Sequence, residues 1–192
     1  MAALILGLLI FIGSHSIRIF ADNWRSIQRA RLGEGKWKGL FSLVSIVGFV
    51  LIVWGYGLAR RDPVVLWGSP IWTRHFAGIL MLISFVLFAA AYAPANHFKA
   101  RLHHPMVLAV KTWAVAHLFA NGTLADVVLF GSFLVWAVLD FGSSRRRDRA
   151  AGTIYPPGTL KGDAIAFLIG AAVWVVFAFW AHEKLIGVRP FG

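Results

Sequence analysis

The chain has 192 residues, 59% of them hydrophobic, with 9 Trp, 16 Phe and a formal net charge of +11. That apolar share exceeds what a soluble domain of this size hides, and it lies in nearly uncharged runs of about 20 residues, enough to cross a bilayer as helices. A water-soluble core is excluded, as is room for a soluble catalytic domain. With no cysteine present, so are disulfides, iron–sulfur clusters, thiolate zinc sites and thiolate-ligated haem.

The reading is an all-α, polytopic transmembrane helical bundle of about six helices, one domain over residues 1–192, in the lipid bilayer. The first span covers residues 2–21. It lacks a basic leader region and an Ala-x-Ala cleavage site, so it reads as a retained helix. It ends where Arg18, Asp22 and Arg25 meet the interface. The second, 38–58, stops at Arg60, Arg61, Asp62 and Pro63, and the third, 73–92, stops near Pro94, which disfavours helix before it. The fourth, 105–120, starts at His104-Pro105, where proline loses no hydrogen bond, and ends at Asn121-Gly122. The fifth covers 123–141. The run Tyr155-Pro156-Pro157-Gly158 then breaks the chain before the sixth, 161–182, which Thr159 can cap.

Most Lys and Arg fall in the connections 22–38, 93–104 and 142–161, read as loops. The positive-inside rule puts those loops in the cytoplasm and both termini outside it. The same placement accounts for the basic charge without nucleic acid, for which there is no RNP-like motif, zinc finger or recognition helix. Gly162, Ala166 and Gly170 recur every four residues, and Gly48 and Gly55 face one side of the second span. Both sets read as close-packing ridges, either within the bundle or at a seam with another protein.

Ionisable groups in hydrocarbon need a partner, a cavity or a function. On the first span His15, Arg18 and Asp22 share a face. Arg18 can snorkel to the interface. His15 lies about 10 Å deeper than Asp22 at the helical rise, either bonded to a neighbouring carbonyl or serving as a ligand. Sixteen residues rise about 24 Å, short of a hydrocarbon core of about 30 Å, so the fourth span should draw His104 below the interface. Lys111 lies on the same face as His104, with Asp126 the nearest carboxylate in sequence and a cofactor carboxylate the alternative. His117 and Asn121 share a face near the other end. Inward-facing histidines on separate helices can hold a haem iron or help form a metal site. Arg18 or Lys111 could pair with propionates. His75, His97, His103 and His182 fall near helix ends, where solvated histidine is the default.

Gly13-Ser14-His15 with Arg18, then His104-Pro105, Lys111, Trp113, Ala116-His117-Leu118 and Asn121-Gly122, together resemble the NnrU family. Phe130-Gly131 through Asp140 and the basic turn Arg145–Arg149 extend the resemblance over nearly the whole chain. It implies a bacterial inner-membrane protein associated with nitrite and nitric oxide reduction. The family is in turn similar to plant zeta-carotene isomerase, which implies haem b with His15 and His104 as iron ligands, and Arg18, Lys111 and His117 around it. A redox role or cis–trans isomerisation of a hydrophobic substrate such as a polyene would follow. The other readings are a non-catalytic accessory or assembly protein for a respiratory membrane partner, and a small-solute transporter using Lys111 and Asp126. A distant similarity to isoprenylcysteine methyltransferases stops at the basic-His-Pro element, because the paired glutamates are missing.

Overall fold

A computed structural model describes residues 1–191. In chain order the helices are α1 (Ala2–Phe20), α2 (Asp22–Leu32), α3 (Glu34–Ala59), α4 (Ile71–Tyr92), α5 (His97–Leu102), α6 (Pro105–Ala120), α7 (Leu124–Ala151), α8 (Leu160–Val176) and α9 (His182–Ile186). A π-helical turn, Phe177–Ala181, joins the last two. Among the described residues the extended pairing is a single bridge, Val65 to Thr123. Five stretches are long and apolar enough to cross a membrane: α1, α3, α4, α7 and the run Leu160–Ile186. The expected fourth span, α6, is apolar but has 16 residues, with the bounds that Pro105 and Asn121 dictate.

The boundaries differ elsewhere. Residues 22–32, expected in a loop, form α2, because no breaker intervenes before Gly33 at φ 78. Asp22 opens α2 while Arg29 and Arg31 close it, each charge suited to its end of the helix dipole. Helix α7 runs ten residues past the expected end at 141. Its Ser143 and Ser144 are buried, and their hydroxyls accept from the Arg147 guanidinium at 2.7 Å each. Hydropathy marks where hydrocarbon ends, whereas the helix continues through Arg and Ala, which are good helix formers.

The chain divides into two compact units. The first comprises Met1–Trp67 with Thr123–Asp140. Within it α1 and α3 pack antiparallel with backbones in direct approach. A Cβ added at Gly7 would stand 2.6 Å from the Ile52 nitrogen, one at Gly48 would stand 2.8 Å from the Phe11 nitrogen, and one at Gly55 would strike the Leu4 nitrogen. Small residues permit this contact where lipid supplies no hydrophobic drive between helices. The beginning of α7 is fixed here by Asp126, 4% exposed, which accepts the Tyr56 hydroxyl at 2.5 Å. The same carboxylate accepts the Thr123 amide at 2.9 Å and the Thr123 hydroxyl at 2.6 Å, forming a capping box.

The second unit comprises Gly68–Gly122 and the chain from Phe141 onward. Here α4 lies antiparallel to both α6 and α8. Ser84 donates to the Ala109 carbonyl at 2.8 Å, and Phe76 meets Phe119 edge-on at 5.4 Å. The Gly162–Ala166–Gly170 ridge packs inside this unit: a Cβ at Gly162 would strike the Ala95 carbonyl, one at Gly170 would come within 2.5 Å of the Val86 Cα, and Ala166 is fully buried. Of the two readings of that ridge, contact within the chain is the one observed. Trp174 donates to the Gly78 carbonyl at 3.0 Å. His97 and its amide both bond the Asp163 carboxylate at 2.7 Å, tying α5 to α8.

The glycine seams set an expectation for stability. Gly55→Leu should destabilise the purified protein by about 1–3 kcal/mol through overpacking. Gly57→Ala, where a Cβ meets nothing within 4 Å, should be neutral or slightly stabilising, as helix propensity favours alanine. Thermal unfolding in detergent measures both, and equal melting temperatures for the two variants would contradict the seam.

Candidate functional site

In the first unit the site residue is His15 on α1. Its Nδ1 lies 2.7 Å from the Phe11 carbonyl oxygen. A carbonyl can only accept, so the proton sits on Nδ1 and the Nε2 lone pair is left for a partner. The Ser14 hydroxyl donates to the same carbonyl at 2.8 Å. Aromatic rings enclose the imidazole: Phe11 stacks on it at 4.2 Å, Phe41 meets it edge-on at 5.0 Å, and Trp136 stands perpendicular at 6.1 Å. Of the readings open from sequence, the bond to a neighbouring carbonyl is present, and it leaves the nitrogen that a ligand role needs. Arg18, one turn further along, lies in the last turn of α1, where its charge suits the helix dipole.

In the second unit the site residue is His104, which caps α6 ahead of Pro105. Its Nε2 donates to the Asp148 carboxylate at 2.8 Å, and the Tyr155 hydroxyl donates to the same oxygen at 2.9 Å. Tyr155 also stacks on His103 at 4.2 Å and meets His104 edge-on at 6.2 Å. Arg145 donates to His103 Nδ1. Among the described residues His103 is the one non-glycine with positive φ, at 68°, a conformation costing about 1–3 kcal/mol that persists where surroundings enforce it. The sequence reads His103 as solvated and does not single out Asp148 or Tyr155. The signal available is a lone acid inside the basic turn Arg145–Arg149. His97 likewise has a carboxylate partner, and His75 stacks on Phe191 at 6.1 Å.

The remaining candidates also belong to the second unit. His117 Nδ1 donates to the Trp113 carbonyl at 2.9 Å, and the Asn121 amide donates to the His117 carbonyl at 2.9 Å, which closes the end of α6. Lys111 is half-buried on α6. Asp126, the carboxylate nearest to it in sequence, is engaged by Tyr56 and Thr123 in the first unit. Among the described residues no three His, Asp or Glu side chains group as a metal site. A haem iron needs a histidine nitrogen with a free lone pair and an apolar surround. His15 meets both conditions, and its Nδ1 bond to a carbonyl is the support that ligating histidines commonly have. In His104, Nε2 is committed to Asp148 and Nδ1 is the nitrogen left.

Burial, and then the bond to Asp148, push the Tyr155 phenol above its ordinary value. A raised phenol pKa means the folded state favours the protonated form. Its stabilising contribution is complete below about pH 10, the value in an unfolded chain, and is lost as pH rises through the folded value. Asp148→Asn should move the Tyr155 titration back toward pH 10. Ultraviolet absorbance titration, with Tyr155→Phe as the blank, measures this, and an unmoved titration would contradict the contact.

The chain matches the family model described as NnrU protein over residues 3–190. No curated protein matches, and no solved structure matches. The match spans α1 through α9 and takes in both histidine environments, so the chain belongs to the NnrU family.

Proposed function

We propose that this NnrU-family membrane protein binds haem b through His15 and acts in redox chemistry or in cis–trans isomerisation of an apolar substrate. In this reading it sits in the bacterial inner membrane and serves nitrogen-oxide respiration. The observation that carries the proposal is the His15 imidazole, held by the Phe11 carbonyl with Nε2 left over inside an aromatic surround. The resemblance to zeta-carotene isomerase supports His104 as the second ligand, either through Nδ1 with the Asp148 bond kept or through Nε2 once that bond opens. Arg18 and Lys111 are the cations for the propionates, with His117 nearby in the same reading. Bound haem would supply one-electron chemistry, or an open coordination position once a histidine leaves.

The test is an absorption spectrum of protein purified from haem-replete cells, with and without dithionite. A Soret band and a low-spin b-type spectrum are expected, and His15→Ala should abolish them. Lys111→Met should weaken haem retention severalfold, by loss of one charge-assisted contact. Colourless protein, or a spectrum indifferent to His15→Ala, would overturn the haem reading. It would leave a non-catalytic accessory protein for a respiratory membrane partner as the alternative.

A further inference from the structure

Helix α2 is turned the wrong way for a helix in water. Asp22, Arg25 and Arg29 share one face at spacings of three and four residues. Arg25 bonds Asp22 at 3.2 Å, and Arg29 pairs with Glu34 of α3 at 3.3 Å, which turns that face toward the protein. Trp24, Ile27 and Arg31 keep the same spacing on the opposite face. Trp24 is 50% and Ile27 56% exposed. A helix docked on a protein in water turns its apolar stripe inward and its charges outward.

The position of α2 accounts for the inversion. Ala21 alone separates it from Phe20, the exposed last residue of α1. The register that sets Leu4 beside Gly55 and Phe11 beside Gly48 brings Phe20 to about the level of Gly39, next to the exposed Leu40. Phe20 and Leu40 belong to membrane-spanning helices, so these bare side chains face lipid. Trp24 follows Phe20 by four residues, at most about 14 Å of chain. It meets Trp37 of α3 edge-on at 6.2 Å, and tryptophan is enriched at the membrane–water interface. A short helix with an apolar stripe and basic flanks lies in the plane of that interface.

Charge selects among lipids. Residues 22–38 hold five cations and two carboxylates. Arg25, Arg29 and Lys38 engage both carboxylates. Among the described residues, Arg31 and Lys36 pair with none. Lys36 also lies in the first turn of α3, the end at which the helix dipole disfavours a cation. No contact within the protein accounts for its charge.

We propose that α2 is an interfacial helix that binds anionic phospholipid in the leaflet it meets. Trp24 and Ile27 enter the boundary between headgroups and acyl chains, and Arg31 and Lys36 hold the lipid phosphates. A zwitterionic headgroup carries its own cation beside the phosphate, so surplus positive charge favours anionic lipid. The inference concerns the first unit alone and does not rest on haem binding.

Two measurements on the full chain test it. The first is native mass spectrometry from micelles holding equal phosphatidylglycerol and phosphatidylcholine. Preferential retention of phosphatidylglycerol is expected. Arg31→Gln and Lys36→Gln should each cut that preference about fivefold, the equivalent of about 1 kcal/mol per basic residue at an anionic surface. Unchanged melting temperatures would separate this loss from misfolding. Retention without headgroup preference, or a preference that survives the double variant, would overturn the proposal. The second uses the absence of cysteine, which makes Ser26→Cys and Ile27→Cys single labelling sites in nanodiscs. A spin label at 27 should be relaxed more by oxygen and less by a water-soluble nickel chelate than one at 26, which the helix turns about 100° away. Equal exposure of the two labels to the chelate would overturn the proposal. So would spin–spin broadening at 27, which would assign the stripe to a second copy of the chain. Both readouts are independent of colour, so failure of the haem reading and failure of this one are separable.

Discussion

In a membrane-spanning chain, a polar side chain that finds no partner inside the protein finds none at all. Much of this structure follows from that constraint. Ser14 and His15 both turn back to the Phe11 carbonyl, Ser45 to Phe41, Thr112 to Leu108, His117 to Trp113 and Ser132 to Val128. Each satisfies its donor three or four residues back along its own helix, leaving the helix surface apolar for lipid and neighbours. The few polar side chains that reach another element fix the structure at particular points. Ser84 locks α4 to α6, Tyr56 and Asp126 fix the beginning of α7, and His97 with Asp163 holds α5 on α8.

Against that background the exceptions carry information. His15 satisfies Nδ1 in the usual way but keeps a second nitrogen that its own helix cannot use. Trp136, its perpendicular neighbour, keeps a buried N–H. In the other unit the polarity is reversed: His103, His104, Tyr155 and Arg145 gather on or beside a single carboxylate, Asp148, with His103 held in an uncommon backbone conformation. One environment is short of partners and the other is saturated with them. An incoming ligand therefore meets little competition at His15 Nε2, whereas at His104 Nε2 it must displace a charge-assisted bond.

Where the sequence signal is physical and local, it can be read directly. Proline at 105 and Asn121 bound the short α6 because ring sterics and a turn residue act over one or two positions. The four-residue spacing of Gly162, Ala166 and Gly170 announces a close-packed ridge, and the ridge is buried. Helix α2 and the extension of α7 are illegible for a common reason. Charged residues end an apolar run without ending a helix, so hydropathy places a loop where Arg, Ala and Ser continue the turn. The Asp148 cluster is hidden for a different reason. His104 and Asp148 are separated by more than forty residues, and no periodicity brings one to the other. The partnerless Trp136 nitrogen is likewise a property of surroundings, which a residue type alone does not reveal.

The most direct measurement is nitrogen NMR of histidine-labelled, haem-free protein, with His15→Gln and His104→Gln assigning the signals. The account predicts that His15 carries its proton on Nδ1 with a bare Nε2, and that His104 carries a proton on Nε2, facing Asp148. A His15 signal with the proton on Nε2 would contradict it, because the Phe11 carbonyl bond would then be absent and the nitrogen offered to a ligand already blocked.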